Sequence, residues 1–312
     1  MKRSRLAIPL AVAFLWCSAC PLRAVTITVN ELYADDGNPT GHIYRFTLAG
    51  SRTTFASGLP TAAGLAVDAS GNVFEADHDA GMISKFTPAG VKSTFATGLK
   101  FPEALVFDKN GNLFEADQGT GTIYEFTPAG ARSTFATGLN GPIGLAFDAA
   151  GNLFEADSAG NVDGAGHIYE FTPTGSRSTF ASGLHAPFDL AFDANGNLFE
   201  SNLGSNSIFE YSPAGSQTTF ASGLFIPAGL VFDETGNLYE ADSGTNRILK
   251  FAPTGVRSNF ATGLDAPVYL AFGPVPVPEP STWLLMAIGM MGQSLMRGRL
   301  LALLSRLLSR RP

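Results

Sequence analysis

Gly144-Leu-Ala-Phe-Asp148, Ala-Ala, Gly151-Asn-Leu-Phe-Glu-Ala-Asp157, a loop, His167-Ile-Tyr-Glu-Phe-Thr172, Pro-Thr-Gly, Ser176-Arg-Ser-Thr-Phe-Ala-Ser-Gly-Leu184: this stretch holds four short apolar runs separated by Gly, Pro, Asn and Asp. None reaches the ten to twelve residues of an ordinary helix, and the apolar positions recur at two rather than 3.6. Each run therefore reads as a strand: a (Gly-Leu-Ala-Phe-Asp), b (Asn-Leu-Phe-Glu-Ala-Asp), c (Ile-Tyr-Glu-Phe-Thr) and d (Ser-Thr-Phe-Ala). In the a–b turn Asp148 is placed to accept backbone N–H groups, and Gly151 to take a positive φ. Asp68, Asp108, Asp193 and Asp233 repeat that turn, which also absorbs Asp193-Ala-Asn195-Gly-Asn197, a segment that only superficially looks like a calcium loop.

The unit recurs. The phenylalanines of its d motif are Phe55, Phe95, Phe135, Phe180, Phe220 and Phe260, at intervals of 40, 40, 45, 40 and 40 residues. A fixed period of that length signals a propeller or a solenoid. The copies decide between them. The chain opens with a degenerate b strand, Glu31-Leu-Tyr-Ala-Asp-Asp36, and closes with a lone a strand, Tyr269-Leu-Ala-Phe272. A final a strand that completes the first blade explains both ends, whereas a solenoid needs polar caps that are absent from the repeats. The fold class predicted is all-β: a six-bladed β-propeller of four antiparallel strands per blade, closed by pairing strands b-c-d of the N-terminus with a C-terminal strand a.

The pattern Pro-x-Gly-Leu-Ala-x-Asp, Gly-Asn-Leu-Phe-x-Ala-Asp, Ile-Tyr-x-Phe resembles the NHL repeat and the gluconolactonase-like propellers, over residues 25–273. That resemblance implies fold more than activity, because lactonases, lyases and pure binding modules share it.

The ends read as addresses. Residues 1–24 carry Lys2, Arg3 and Arg5 before an apolar run from Leu6 to Trp16, the form of a signal peptide cleaved after Ala19 or, by preference, Ala24. Cys17 and Cys20 both fall in it, so the mature chain is expected to lack thiols; acylation of Cys20 is a weaker reading. Residues 274–282 read as a proline-rich linker, and residues 283–312 as a hydrophobic anchor with a basic tail. The apolar run of 283–296 is short for a full span, and Gln293 interrupts it. The tripartite order, with Pro278-Glu279-Pro280 ahead of the apolar segment, resembles the PEP-CTERM sorting signal. It implies an exosortase as processing partner, transient membrane attachment through the C-terminal segment, and a Gram-negative envelope, outer surface or biofilm-matrix destination. The charge supports export over nucleic-acid binding. Residues 25–282 keep eleven bases against all 27 acids, a net of −16.

Chemistry is sparse. The d–a connections end in Pro followed by Ala62-Ala63, Glu103-Ala104, Ile143-Gly144, Phe188-Asp189, Ala228-Gly229 and Val268-Tyr269, placed at the channel mouth where propellers bind ligands. Only Glu103 and Asp189 are ionisable, fewer oxygen donors than a calcium site uses. The gluconolactonase resemblance implies a divalent cation (calcium, magnesium or zinc) there, so the cofactor expectation is either none or one such ion. His42, His78, His167 and His185 show no ligand spacing. No nucleophile motif is present. On the same face Phe101, Phe188, Phe225 and Tyr269 are candidates to stack on a ligand, together with Ile226 beside Phe225. The b–c loop 158–166, five residues longer than its counterparts, adds Asn161 and Asp163. The expected function is a secreted, monomeric binding module for a glycan or protein. A metal-dependent lactonase or lyase and a structural matrix spacer stand as alternatives. Strand b also repeats a carboxylate, at Glu75, Glu115, Glu155, Glu200 and Glu240, and strand d a base, at Arg52, Lys92, Arg132, Arg177 and Arg257 with Gln217 the exception. These are read first as inter-blade polar structure and edge protection, with a cation-binding acidic array as the functional alternative.

Overall fold

The computed structural model describes residues 28–37, 41–59, 61–161 and 164–276. They form six four-stranded antiparallel sheets. Blade 4 shows the plan: strand a is Pro142–Phe147, b Leu153–Asp157, c Gly166–Phe171 and d Arg177–Leu184. The inner a strands of blades 2, 3, 5 and 6 are Ala62–Val67, Pro102–Phe107, Pro187–Phe192 and Pro227–Phe232. Blade 1 takes its a strand, Leu270–Pro276, from the far end of the repeats and pairs it with Thr28–Asp35. Each inner strand packs against the next, from Leu270–Pro276 to Ala62–Val67 and round to Pro227–Phe232 and back. The ring is closed, as the unpaired b strand at one end and a strand at the other require. Among the described residues there is no α-helix, only two 3-10 turns at Ala159–Asn161 and Ser243–Thr245.

Two details depart from the sequence reading. The closing strand runs three residues into the proline-rich stretch, with Asn30 opposite Pro274 and Thr28 opposite Pro276. An inner strand is a sheet edge on its channel side, so prolines spaced two apart leave only unneeded N–H positions empty. In blade 2 the register sets Ala62 opposite Asp77 where blade 3 sets Pro102 opposite Asp117. The positions equivalent to Glu103-Ala104 are therefore Ala63-Gly64, one residue later than the Ala62-Ala63 pair read from the sequence.

The phenylalanines of the period are the inter-blade cement. Phe74 of strand b meets Phe95 of its own strand d at 5.0 Å and 86°, and Phe107 of the next blade at 5.1 Å and 78°. The same edge-to-face triad recurs at Phe114 with Phe135 and Phe147, at Phe154 with Phe180 and Phe192, at Phe199 with Phe220 and Phe232, and at Tyr239 with Phe260 and Phe272. Such pairs are worth roughly 0.5–1.5 kcal/mol beyond their buried area. The strand-d bases add a second tie. Arg52, Arg132 and Arg177 each lie over a tyrosine of strand c, at 4.9–5.0 Å, and each donates to a glycine carbonyl of the preceding blade's outer strand. The turn reading also holds. Asp148 Oδ1 accepts the Asn152 N–H at 2.8 Å, its Oδ2 accepts the Asn152 side-chain amide at 2.9 Å, and Gly151 has φ +91°.

Candidate functional site at the channel mouth

One position, immediately before the leucine of each a strand, differs around the ring. Around the ring these positions are Tyr269, Gly64, Ala104, Gly144, Asp189 and Gly229, so glycine alternates with something larger. The glycines are obligatory. A Cβ on Gly64, Gly144 or Gly229 would stand 1.9, 2.4 or 2.5 Å from the carbonyl oxygen of Glu103, Phe188 or Val268 on the next blade. The remaining three positions, Ala104, Asp189 and Tyr269, line the axial cavity.

Both polar members are held from behind. Tyr269 N–H donates to Asp35 Oδ1 at 2.6 Å, as does Val268 N–H at 3.1 Å. Asp189 N–H donates to Ser201 Oγ at 3.0 Å. Asp35 and Ser201 occupy the strand-b register where the other blades have Ala76, Ala116, Ala156 and Ala241. The two blades with a polar residue immediately before the a-strand leucine are the two with a polar residue in place of this alanine. That departure is the signal by which the supports are legible in the sequence, and the sequence reading missed it.

The Tyr269 hydroxyl reaches across blade 2 to donate to Glu103 Oε2 at 3.1 Å, and His78 Nε2 stands 3.4 Å from Glu103 Oε1. Phe188 packs on Tyr269 at 5.5 Å, and Phe101 stacks on His78 at 4.7 Å and 18°. Tyr269 and Asp189 are only 4% and 7% exposed. Tyr269 is thus a plug across the mouth and Phe188 its half-buried support. Behind the plug an axial cavity of about 380 Å³ is lined by aliphatic and phenylalanine side chains, with Asp189 and Tyr269 its polar groups. Burial sets the electrostatics. It raises the Asp189 carboxyl to about 7 and Asp35 to about 8 against the pull of their backbone N–H donors, and raises Glu103 against His78 and the Tyr269 hydroxyl. The Tyr269 phenol goes well above its ordinary value through burial and the nearby Glu103, Asp189 and Asp35.

The divalent ion implied by the sequence resemblance has a poor seat here. Glu103 is engaged by Tyr269 and His78, and Asp189 Oδ2 accepts the Leu230 N–H at 2.8 Å. Among the described residues no three His, Cys, Asp or Glu side chains stand together as metal ligands. The donor set does not fit the ion.

Around the plug the rim is apolar in two places. Phe101 is 41% exposed, and on the opposite side of the ring Phe225 and Ile226 are 53% and 46% exposed. Phe101 and Ile226 both hold φ +56°, a left-handed backbone that costs side-chain-bearing residues on the order of 1–3 kcal/mol. The Ile226 N–H is fastened to Asn206 Oδ1 at 3.0 Å. In the long b–c loop, Ser158 and Ala159 are buried, and Ser158 Oγ donates to the Gly141 carbonyl at 3.0 Å. The loop starts packed down; the side chain of Asn161, and Asp163, lie outside the described residues.

Residues 276–299 match the PEP-CTERM protein-sorting motif. The chain therefore carries the sorting signal of an exported protein. The motif implies recognition by an exosortase and C-terminal membrane anchoring before processing, in an envelope of Gram-negative type. Pro278-Glu279-Pro280 and the preceding leader, residues 1–24, lie outside the described residues. No curated protein matches the sequence.

Among solved structures the propeller is similar to a chain of a nidogen/laminin complex, with 22% identity, a TM-score of 0.70, and coverage of 80% of this chain and all of that one. It is similar to a gluconolactonase of Xanthomonas campestris, with 16% identity, a TM-score of 0.61, and coverage of 80% and 92%. It is also similar to a catalytically inactive virginiamycin B lyase of Staphylococcus aureus holding quinupristin, with 19% identity, a TM-score of 0.55, and coverage of 67% and 73%. At these identities the likeness is one of fold. What the chain shares with them is the six-bladed propeller fold.

Proposed function

We propose that this exported propeller is a binding module of the cell envelope or its matrix, and that it takes an extended glycan across the mouth of the ring. The observation that carries this reading is the pair of exposed apolar stations, Phe101 on one side and Phe225 with Ile226 on the other, flanking the polar Glu103–His78–Tyr269 group. Two separated ring faces with hydrogen-bonding groups between them suit a chain of sugars, which stacks ring by ring and offers hydroxyls between. A protein partner asks instead for one continuous apolar patch.

Binding of purified exopolysaccharide from the producing cells, measured by calorimetry, tests it. Phe101→Ala and Phe225→Ala should each lower affinity about three- to tenfold, with unfolding transitions unchanged. Unchanged affinity in both variants contradicts the reading.

The lactonase or lyase alternative draws on one feature, the raised Glu103 carboxyl beside His78. It is the weaker reading, because the Tyr269 plug covers that carboxyl and the axial wall behind it is apolar. Turnover of simple lactones that disappears in Glu103→Gln supports it over the binding module.

A further inference from the structure

On the opposite end of the ring, where the a–b and c–d turns lie, one strand-c position changes character half-way round. It is Lys250, Arg45 and Lys85 in blades 6, 1 and 2, and Glu125, Glu170 and Glu210 in blades 3, 4 and 5. In every blade it sits directly across from the strand-b aromatic: Lys250 opposite Tyr239, Lys85 opposite Phe74, Glu125 opposite Phe114.

The lysine blades show what the position is for. Lys85 Nζ stands 5.0 Å over the Phe74 ring and 3.8 Å from Asp68 of the a–b turn. Lys250 Nζ stands 5.2 Å over the Tyr239 ring and 4.0 Å from Asp233. An ammonium between an aromatic face and a turn carboxylate gains both cation–π and Coulomb attraction.

Blade 3 keeps the receiving groups and lacks the ammonium. Phe114 is present, edge-on to Phe135 and Phe147, and Asp108 is present in the turn. Glu125 is drawn aside by the Asn112 side-chain amide, which donates to its Oε1 at 2.9 Å. No cation stands over the Phe114 ring among the described residues. The result is a cavity of about 420 Å³ between blades 3 and 4, floored by Phe114, Phe135 and Phe147 and rimmed by Asp108, Glu125 and Asp148. Lys109 is the single base on the rim, exposed in the turn and directed toward Gly151 of the next blade.

We propose that this cavity is a binding site for a primary ammonium group supplied by another molecule. The ligand takes the place over Phe114 that the chain's own lysines take over Phe74 and Tyr239. It meets three carboxylates against one lysine. The chemistry belongs equally to a lysine side chain and to an amino sugar, and the site is independent of the mouth on the other end of the ring.

The test uses the full-length protein and nuclear magnetic resonance titration. The lysine probe is Nα-acetyl-lysine methylamide, the sugar probe is glucosamine, and Nα-acetyl-norleucine methylamide is the uncharged control. One saturable site per chain is expected, with shifts at Phe114 and Phe135, and with the norleucine compound at least about tenfold weaker. Glu125→Lys, which restores the chain's own ammonium over Phe114, should lower affinity at least about tenfold. Lys109→Ala, an exposed turn substitution, should raise it a few-fold. Binding of the lysine compound alone assigns a lysine side chain, and binding of glucosamine with the same response to both variants assigns an amino sugar. The proposal is overturned if neither probe binds, if the norleucine compound binds as well as the lysine compound, or if both variants leave affinity unchanged.

Discussion

At the residue scale the repeated glutamate of strand b is the least expected feature. Glu75, Glu115, Glu155, Glu200 and Glu240 are all completely buried. In four of them neither carboxyl oxygen has a hydrogen-bond partner among the described residues, and burial is the first cause of their raised pKa values: about 7 for Glu75, about 9 for Glu240, and well above the usual range for Glu115 and Glu155. Each holds its proton to a higher pH than an exposed glutamate does. Glu200 differs. It accepts from the Asn202 amide at 2.9 Å and the Tyr211 hydroxyl at 3.4 Å, and Tyr211 in turn receives the Gln217 amide at 3.1 Å. That chain explains why blade 5 has Gln217 where strand d otherwise has a base, and Tyr211 where strand c otherwise has phenylalanine. Two substitutions that look alike should therefore part company in denaturant melts. Glu115→Val should be neutral or stabilising, since it removes an unpaired buried acid; Glu200→Val should cost about 1–3 kcal/mol, since it strands Asn202 and Tyr211. Equal losses at both positions contradict the distinction.

The same acids fix how stability depends on pH. The folded state holds their protons above the ordinary carboxylate range, so between an unfolded value near 4.5 and folded values of about 7 to 9 the native chain binds more protons than the unfolded one. Stability from these groups is complete below that window and is lost as pH rises through it. The melting temperature should fall from pH 5 to pH 9, and Glu240→Gln should flatten the upper part of that fall. A melting temperature that rises over this range contradicts the assignment.

At the scale of elements, the pairing of Thr28–Asp35 with Leu270–Pro276 holds the ring shut, and it does so without a covalent bond. Asn30 and Pro274 are direct partners in that ladder, which places their Cα atoms within disulfide reach. An Asn30→Cys, Pro274→Cys double variant should oxidise within one chain and raise the melting temperature; cross-links formed only between chains contradict closure. Strand identity and this closure were legible from the period of 40 and the mismatched ends. The proline-rich tail of the closing strand was not, because proline is excluded from a paired interior and the pattern alone does not say that the inner strand is an edge. The mouth was legible only in part. Glu103 and Asp189 stand where the register predicts, but the hydrogen bond from Tyr269 to Glu103 joins residues 166 apart across an intervening blade. The change from lysine to glutamate along strand c has meaning only once Phe74, Phe114 and Tyr239 are known to lie opposite. Local sequence carries turns and strands; contacts between blades need the ring.

At the largest scale, the propeller of residues 28–276 is a ring with two different ends. One presents Phe101, Phe225 and Ile226 around a plugged polar mouth, and the other presents a half-ring of lysine and arginine against a half-ring of glutamate. Between them the phenylalanine triads and arginine ties bind each blade to the next. The loop face as the glycan site is the claim on which the functional account rests. Amide hydrogen exchange of the full-length protein, with and without exopolysaccharide from the producing cells, maps the contact directly. The account predicts added protection around Phe101 and around Phe225 and Ile226, with the outer strands unchanged; protection confined to the outer strands, or none at saturating polysaccharide, contradicts it.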